Sequence, residues 1–191
     1  MLNIVLFGAP GAGKGTQSAK IIESYGLVHI STGDLFRKHL GEGTELGQLA
    51  KSYMDAGNLV PDDVVIGMVE DKIKENLEAK GFIFDGFPRT VNQAEALDTM
   101  LGKYDLSISG MIALEVPEAE LKRRIKERAK VSGRVDDQDE EKINNRLRVY
   151  ENETKPVAGY YQEADKFKEV VGVGTVEEIY NQVTDIIATY Q

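Results

Sequence analysis

Lys14 is the first residue in this chain whose surroundings point to chemistry. It lies in Gly8–Thr16, GAPGAGKGT, between the apolar run Leu2–Phe7 and the polar, helix-compatible segment Gln17–Tyr25. A strand, a glycine loop and a helix start in that order make an anion site. The glycines let backbone N–H groups converge on one point, and the helix start adds positive partial charge there. The stretch fits the phosphate-loop pattern G-x-x-x-x-G-K, except that Gly15 follows the lysine and the hydroxyl comes one later, at Thr16. The alternative is a plain glycine-rich turn; the strand before it and the helix after it favour the phosphate loop.

Asp85 ends another apolar run, Phe82–Phe84. A carboxylate there could hold Mg2+, directly or through water, or could simply cap the following turn. Arg124 and Arg128 are four apart and share one helix face, Arg134 follows in a glycine-containing loop, and Arg146 and Arg148 lie beyond it. Each alone reads as solvated surface. Together with Lys14, Arg37 and Arg89 they could surround a polyphosphate, because the planar guanidinium bonds phosphate oxygens in pairs. With two histidines, no cysteine and no serine elbow, the chain shows no obvious general base. His29 has no partner nearby in sequence and reads as structural. Hydrolysis, or phosphorylation of an alcohol, would need a base. A phosphate acceptor would not: its second pKa is about 6, so it is already ionised at neutral pH. Transfer between phosphates needs only positioning and charge neutralisation.

The elements that must hold these groups alternate. Strands are expected at Leu2–Phe7, Leu27–Ile30, Phe82–Phe84, Ser107–Val116 and Phe167–Val171. Helices are expected at Gln17–Tyr25, Leu35–Leu40, Thr44–Ala56, Val64–Ala79, Val91–Leu101, Glu118–Ala129, Gln138–Tyr161 with a kink near Pro156, and Val176–Tyr190. Ser31-Thr32-Gly33-Asp34 reads as a helix cap, and Pro117 as a helix opener. Alternation predicts an α/β fold with an open, five-stranded parallel sheet between two helical layers. Ligands in such sheets bind beyond the carboxyl ends of the strands, where Gly8, Thr32, Asp85 and Arg89 all fall.

The 191 residues fit one compact unit, with 41% hydrophobic and 29% charged residues. No apolar run reaches membrane-spanning length, and the N-terminal apolar run reads as a buried strand with no basic leader before it. The lack of cysteine excludes disulfides and Cys-ligated zinc, and suits a reducing cytoplasm. A net charge of −9 argues against a nonspecific nucleic-acid binder, so an anion must be met by a local cluster among the 23 basic residues.

The chain resembles the adenylate kinases over nearly its whole length. The resemblance runs through GAPGAGKGTQ, STGDLFR, GNLVPDDVV, DGFPRTVNQ, the Arg124/Arg128 helix, SGRVDD and the stretch Arg146–Pro156. The family's usual glycine after the loop lysine also accounts for Gly15. The resemblance implies a P-loop fold with a core at 1–30, 61–126 and 138–191, a helical monophosphate-binding insertion at 31–60 and a short lid at 127–137. It implies Mg2+-dependent transfer from ATP to AMP giving two ADP, in adenine nucleotide homeostasis and nucleotide biosynthesis. On this resemblance Gly11, Ala12, Gly13, Lys14, Gly15 and Thr16 hold the ATP phosphates. Arg124 stacks on the ATP adenine, Gly174 offers it a backbone carbonyl, and Arg128, Arg134 and Arg146 close on the phosphates. AMP is met by Thr32, Arg37, Met54, Asn58, Leu59, Val60, Gly86, Phe87, Pro88 and Arg89, with Gln93 at the adenine edge; Arg134 and Arg146 also reach it. Asp85 holds Mg2+ through water. The lid is short and no zinc is expected. The resemblance also implies a cytoplasmic monomer with no nucleic-acid or membrane partner.

Between Arg134 and Arg146 the spacing is one residue longer than the family's, leaving Arg148 as the alternative to Arg146. A nucleotide-dependent switch is the competing class. A guanine-reading switch needs N/T-K-x-D, whereas Thr154-Lys155 is followed here by Pro156-Val157. Related pyrimidine kinases tend to carry Ala and Asn in place of Thr32 and Gln93, so AMP is the expected acceptor. With ATP as donor, AMP should be turned over faster than UMP, CMP or GMP in steady-state assays. Faster turnover of CMP would overturn that assignment.

Overall fold

The computed structural model describes the backbone of residues 1–191 and every side chain but that of Val135. Five parallel strands form one sheet in the order β2-β3-β1-β4-β5: β1 Leu2–Phe7, β2 Val28–Ser31, β3 Gly81–Asp85, β4 Gly110–Glu115 and β5 Phe167–Val171. The apolar run of β1 makes it the centre. Ile4, Val5 and Leu6 are buried, with β3 on one side and β4 on the other. Asn3, buried in the same strand, is bonded at both ends of its amide: its Nδ2 donates to Ser107 O (2.9 Å) and its Oδ1 accepts from Phe82 N (3.2 Å). Edge strand β5 carries exposed Lys168 and Glu169, which discourage further pairing.

Nine α-helices connect and cover the sheet: α1 Lys14–Tyr25, α2 Thr32–Gly41, α3 Glu45–Ala56, α4 Asp62–Lys74, α5 Val91–Gly102, α6 Glu118–Ser132, α7 Glu140–Val149, α8 Pro156–Glu163 and α9 Val176–Ala188. Their starts follow capping chemistry. Ser31, Thr44, Thr90, Asp139 and Thr175 each accept a backbone N–H of the following turn. Helices α2 and α3 pack so closely at Gly47 that a side chain there would collide with the His39–Leu40 backbone.

The structure corrects several expected boundaries. β4 starts at Gly110 rather than Ser107, because the Ser109 hydroxyl and the Ser107 carbonyl serve Asn3 instead of a ladder. α4 stops at Lys74 rather than Ala79: Asn76 Nδ2 donates to Lys72 O (2.8 Å) and diverts the chain into turns. α6 runs on to Ser132, so the first half of the expected lid stretch is helical. The single helix expected over Gln138–Tyr161 is instead α7, a π-helical turn at Tyr150–Thr154, and α8. Pro156 causes the break. It has no N–H and crowds the carbonyl four residues back, and Lys155 N bonds the Tyr150 carbonyl five back (2.8 Å).

Among the described residues, no helix is long and apolar enough to cross a membrane. Because Ile4 is fully buried in the central strand, Ile4→Ala should lower unfolding free energy by about 2–5 kcal/mol. Val171→Ala, on the exposed edge strand, should change it by less than about 0.5 kcal/mol. Urea denaturation of the two variants checks the contrast.

Candidate functional site

The carboxyl ends of β1, β2 and β3 open onto one cavity of about 410 Å³. Its floor is the loop between β1 and α1. Gly11 and Gly13 take φ of 86° and 96°, a left-handed backbone that a side chain resists. Lys14 opens α1, and its Nζ folds back to donate to Gly8 O (2.7 Å) and Ala9 O (3.1 Å). Loss of hydration lowers the Lys14 ammonium to about 8; Asp85 opposes the shift, while Arg89, Arg146 and Arg128 add to it.

The opposite wall comes from β2, β3 and the helices after them. Thr32 is buried at the start of α2, and its hydroxyl donates to Gly86 O (2.7 Å). Arg37 pairs with Asp34 one helical turn away (2.5 Å). Burial alone would push the Asp34 carboxyl up, but Arg37 holds it below its ordinary range. Arg89 follows β3 and donates Nε to Gly86 O (2.8 Å); burial, then Arg146, push its guanidinium below its ordinary value. Gln93, one turn into α5, is 1% exposed. Met54, Asn58, Leu59 and Val60, after α3, and Phe87 and Pro88 complete this wall.

Asp85 sits at the end of β3 between the two walls, with His29 Nε2 3.8 Å from its Oδ2. That separation is electrostatic contact rather than a hydrogen bond. Burial would push the Asp85 carboxyl up; His29, Lys14 and Arg89 outweigh it and hold the group below its ordinary range. His29, read from sequence as having no partner nearby in the chain, faces this carboxylate across the sheet, but its buried Nε2 makes no hydrogen bond.

The third side is α6, α7 and the turn Val135–Asp137 between them. Arg128 grips Asp137 with two hydrogen bonds (2.7 and 2.8 Å). Arg146 Nη1 reaches Asp137 Oδ1 (2.8 Å) and Asp136 Oδ2 (3.0 Å). The Asp137 side chain is fully buried, and although burial pushes its carboxyl up, Arg128 and Arg146 hold it low. Arg134 also lines the cavity; loss of hydration, then Arg37 and Arg128, lower its guanidinium. Arg146 lines the cavity, whereas Arg148 is exposed and bonds Asn145 (2.5 Å). Of the two candidates that spacing left open, Arg146 is therefore the one that borders the cavity.

Three of the expected residues lie elsewhere. Ala12, Arg124 and Gly174 line a second depression of about 470 Å³, which shares Gly13 and Thr16 with the first. Arg124 bridges its walls, donating to Glu120 Oε1 (2.8 Å) and Gly172 O (2.9 Å). Sequence reasoning missed Asp34, Asp136 and Asp137 as partners of the arginines, and buried Gln17 in the second depression. The only signal for the acid pair was its place inside SGRVDD. The main cavity is lined by six cations, Lys14, Arg37, Arg89, Arg128, Arg134 and Arg146, against three carboxylates, Asp34, Asp85 and Asp136. A site of positive excess is thereby built inside a chain of net charge −9.

A family profile described as adenylate kinase matches residues 6–166. The chain belongs to the adenylate kinase family. It is 53% identical to the adenylate kinase of Flavobacterium psychrophilum, over 98% of each chain. It is 49% identical to that of Bacteroides fragilis over 99% of this chain and all of the relative, and 46% identical to that of Porphyromonas gingivalis over 100% and 98%. As an adenylate kinase it is a phosphotransferase that moves a phosphoryl group from ATP to AMP and yields ADP.

An anion seated on the loop favours the Lys14 ammonium. Above about pH 8 the free protein loses that charge, so binding must take up a proton there. ATP affinity, measured by calorimetry without Mg2+, should therefore fall as pH rises through about 8. Proton uptake should appear in buffers of differing ionisation enthalpy. Lys14→Met should abolish both effects.

Proposed function

We propose that the main cavity is a two-nucleotide site in which the loop side takes the ATP phosphates and the Arg37/Arg89 side takes AMP. The observation that carries this reading is the ring of six cations, contributed by separate elements, around one cavity. On the donor side, Gly11, Ala12, Gly13, Gly15 and Thr16 cradle the phosphates, Lys14 follows the transferring group, and the second depression takes the ATP adenine against Arg124 and Gly174. On the acceptor side, Arg37 and Arg89 hold the AMP phosphate. Thr32, Met54, Asn58, Leu59, Val60, Gly86, Phe87 and Pro88 enclose the nucleoside, and Gln93 faces the base. Arg128, Arg134 and Arg146 neutralise charge on the phosphoryl group in flight.

The chemistry asks little else of the protein. Asp34 and Asp85 are held below their ordinary range, and Asp136 is engaged by Arg146, so the lining carboxylates make poor bases. None is needed, since the attacking AMP phosphate is already ionised at neutral pH. Asp85 and the Thr16 hydroxyl suit Mg2+. Among the described residues no three acidic, His or Cys side chains gather into a cage, and Mg2+ is commonly held by one or two carboxylates, waters and substrate phosphates. When bound, the ion neutralises charge on the phosphates. Asp85 is the residue that would orient it, through water.

Water is the competing nucleophile. Residues 31–60 and 127–137 close over the core formed by 1–30, 61–126 and 138–191 to exclude it. Gly43, Gly57 and Gly133, with φ of 68°, 75° and 62°, stand at the helix ends where such motion would turn. We read the protein as a monomer, since the site proposed here asks for no residue beyond those of one chain. The lack of cysteine suits the cytoplasm.

Lys14→Met should cut kcat by about 100-fold or more with the fold retained, as measured by ADP formation and circular dichroism. Activity within about tenfold of the parent, roughly 1.4 kcal/mol, would remove Lys14 from this role. Arg89→Ala should raise KM for AMP far more than KM for ATP.

A further inference from the structure

A polar cluster between α4 and α5 borders the cavity, and of its members the proposed function uses only Gln93. Asp62, the first residue of α4, accepts three side-chain hydrogen bonds. Its Oδ2 accepts from Thr90 Oγ1 (3.1 Å) and Asn92 Nδ2 (2.8 Å), and its Oδ1 accepts from Gln93 Nε2 (2.7 Å). On its other side, Gln93 Oε1 accepts the backbone N–H of Arg89 (2.7 Å). A carboxylate only accepts and a backbone N–H only donates, so these two partners admit a single orientation of the amide. Turning it over would set the Gln93 N–H2 against a donor and its oxygen against a carboxylate. The network leaves one hydrogen on Nε2 and one lone pair on Oε1, on a buried side chain that lines the cavity.

Amide orientation matters for base choice. A 6-aminopurine offers a donor at N6 and an acceptor at N1. A 6-oxopurine offers an acceptor at O6 and a donor at N1. The two edges require opposite orientations of one glutamine, and a glutamine free to turn over could serve both. We infer that Asp62 is a specificity-determining positioning residue. By locking the Gln93 amide against the Arg89 N–H, it makes the monophosphate site accept a 6-aminopurine and reject a 6-oxopurine. This inference rests on the reading of Gln93 as the base-facing residue.

The test is kcat/KM for AMP and for IMP, with ATP as donor, in the parent and in Asp62→Asn, Asp62→Ala and Gln93→Ala. Asp62→Asn can keep the bonds from Thr90 and Asn92 through its oxygen while turning an N–H2 group toward Gln93, so the two neighbours of the amide no longer agree on one orientation. It should lower the AMP-to-IMP ratio by roughly tenfold or more, with KM for ATP unchanged. Asp62→Ala, which only releases the amide, should lower the ratio less. If both Asp62 variants keep the parental ratio while Gln93→Ala lowers it, the inference fails alone. If Gln93→Ala keeps the ratio, the base-facing role fails and the inference with it. A residue that merely holds α4 to α5 would reduce the melting temperature and leave the ratio untouched, which also overturns the inference.

Discussion

Mutual repulsion among six cations facing one cavity is the constraint on which the rest of the structure depends. Loss of hydration first, and then the neighbouring cations, depress Lys14, Arg89 and Arg134, so each gathered cation makes the next harder to keep charged. Carboxylates offset the repulsion locally: Asp34 for Arg37, Asp85 for Lys14 and Arg89, and Asp136 and Asp137 for Arg146, with Asp137 shared by Arg128. The strands serve this arrangement. β1 and β3 run in register, so the phosphate loop and Asp85 emerge side by side.

The carboxylates occupy the arginines in a particular way. Asp137 holds two guanidinium groups at once from a fully buried position, which fixes their spacing before any anion arrives. In the proposed function phosphate oxygens engage the same donors. Binding is then an exchange of anions around cations already placed, so little side-chain ordering is left to the substrate. The Lys14 ammonium, folded onto the Gly8 and Ala9 carbonyls, follows the same logic with backbone acceptors.

Much of this was legible in the sequence because its physics is local. The strand–loop–helix around Lys14 spans a short segment, and the apolar runs of β1 and β3 announce strands buried on both faces. Arg128 and Arg146 were legible as cations. Their common partner was not, since Asp137 sits beside Asp136 in a turn where acids usually face solvent, and only the return of α7 encloses it. His29 and Asp85 meet because β2 pairs with β3, a register that neither strand encodes alone. Element ends were misjudged where a side chain captured a backbone group, as Asn76 does at the end of α4 and Asn3 just before β4. The clasp of Asp62 on Gln93 joins two helix starts separated by β3, and no pattern in either segment foretells it.

The π-helical turn at Tyr150–Thr154 works as a phase shifter. It carries one residue more than an α turn, so everything after it is rotated by about 100° relative to a continuous helix. Before and through it, Arg146, Val149, Tyr150 and Thr154 face the cavity; after it, Val157 and Tyr161 are buried in the core. Loss of one residue here would set the two halves out of phase, so that either the arginine or the core side chains lose their place. Length at this turn is therefore as constrained as the identity of any side chain in it.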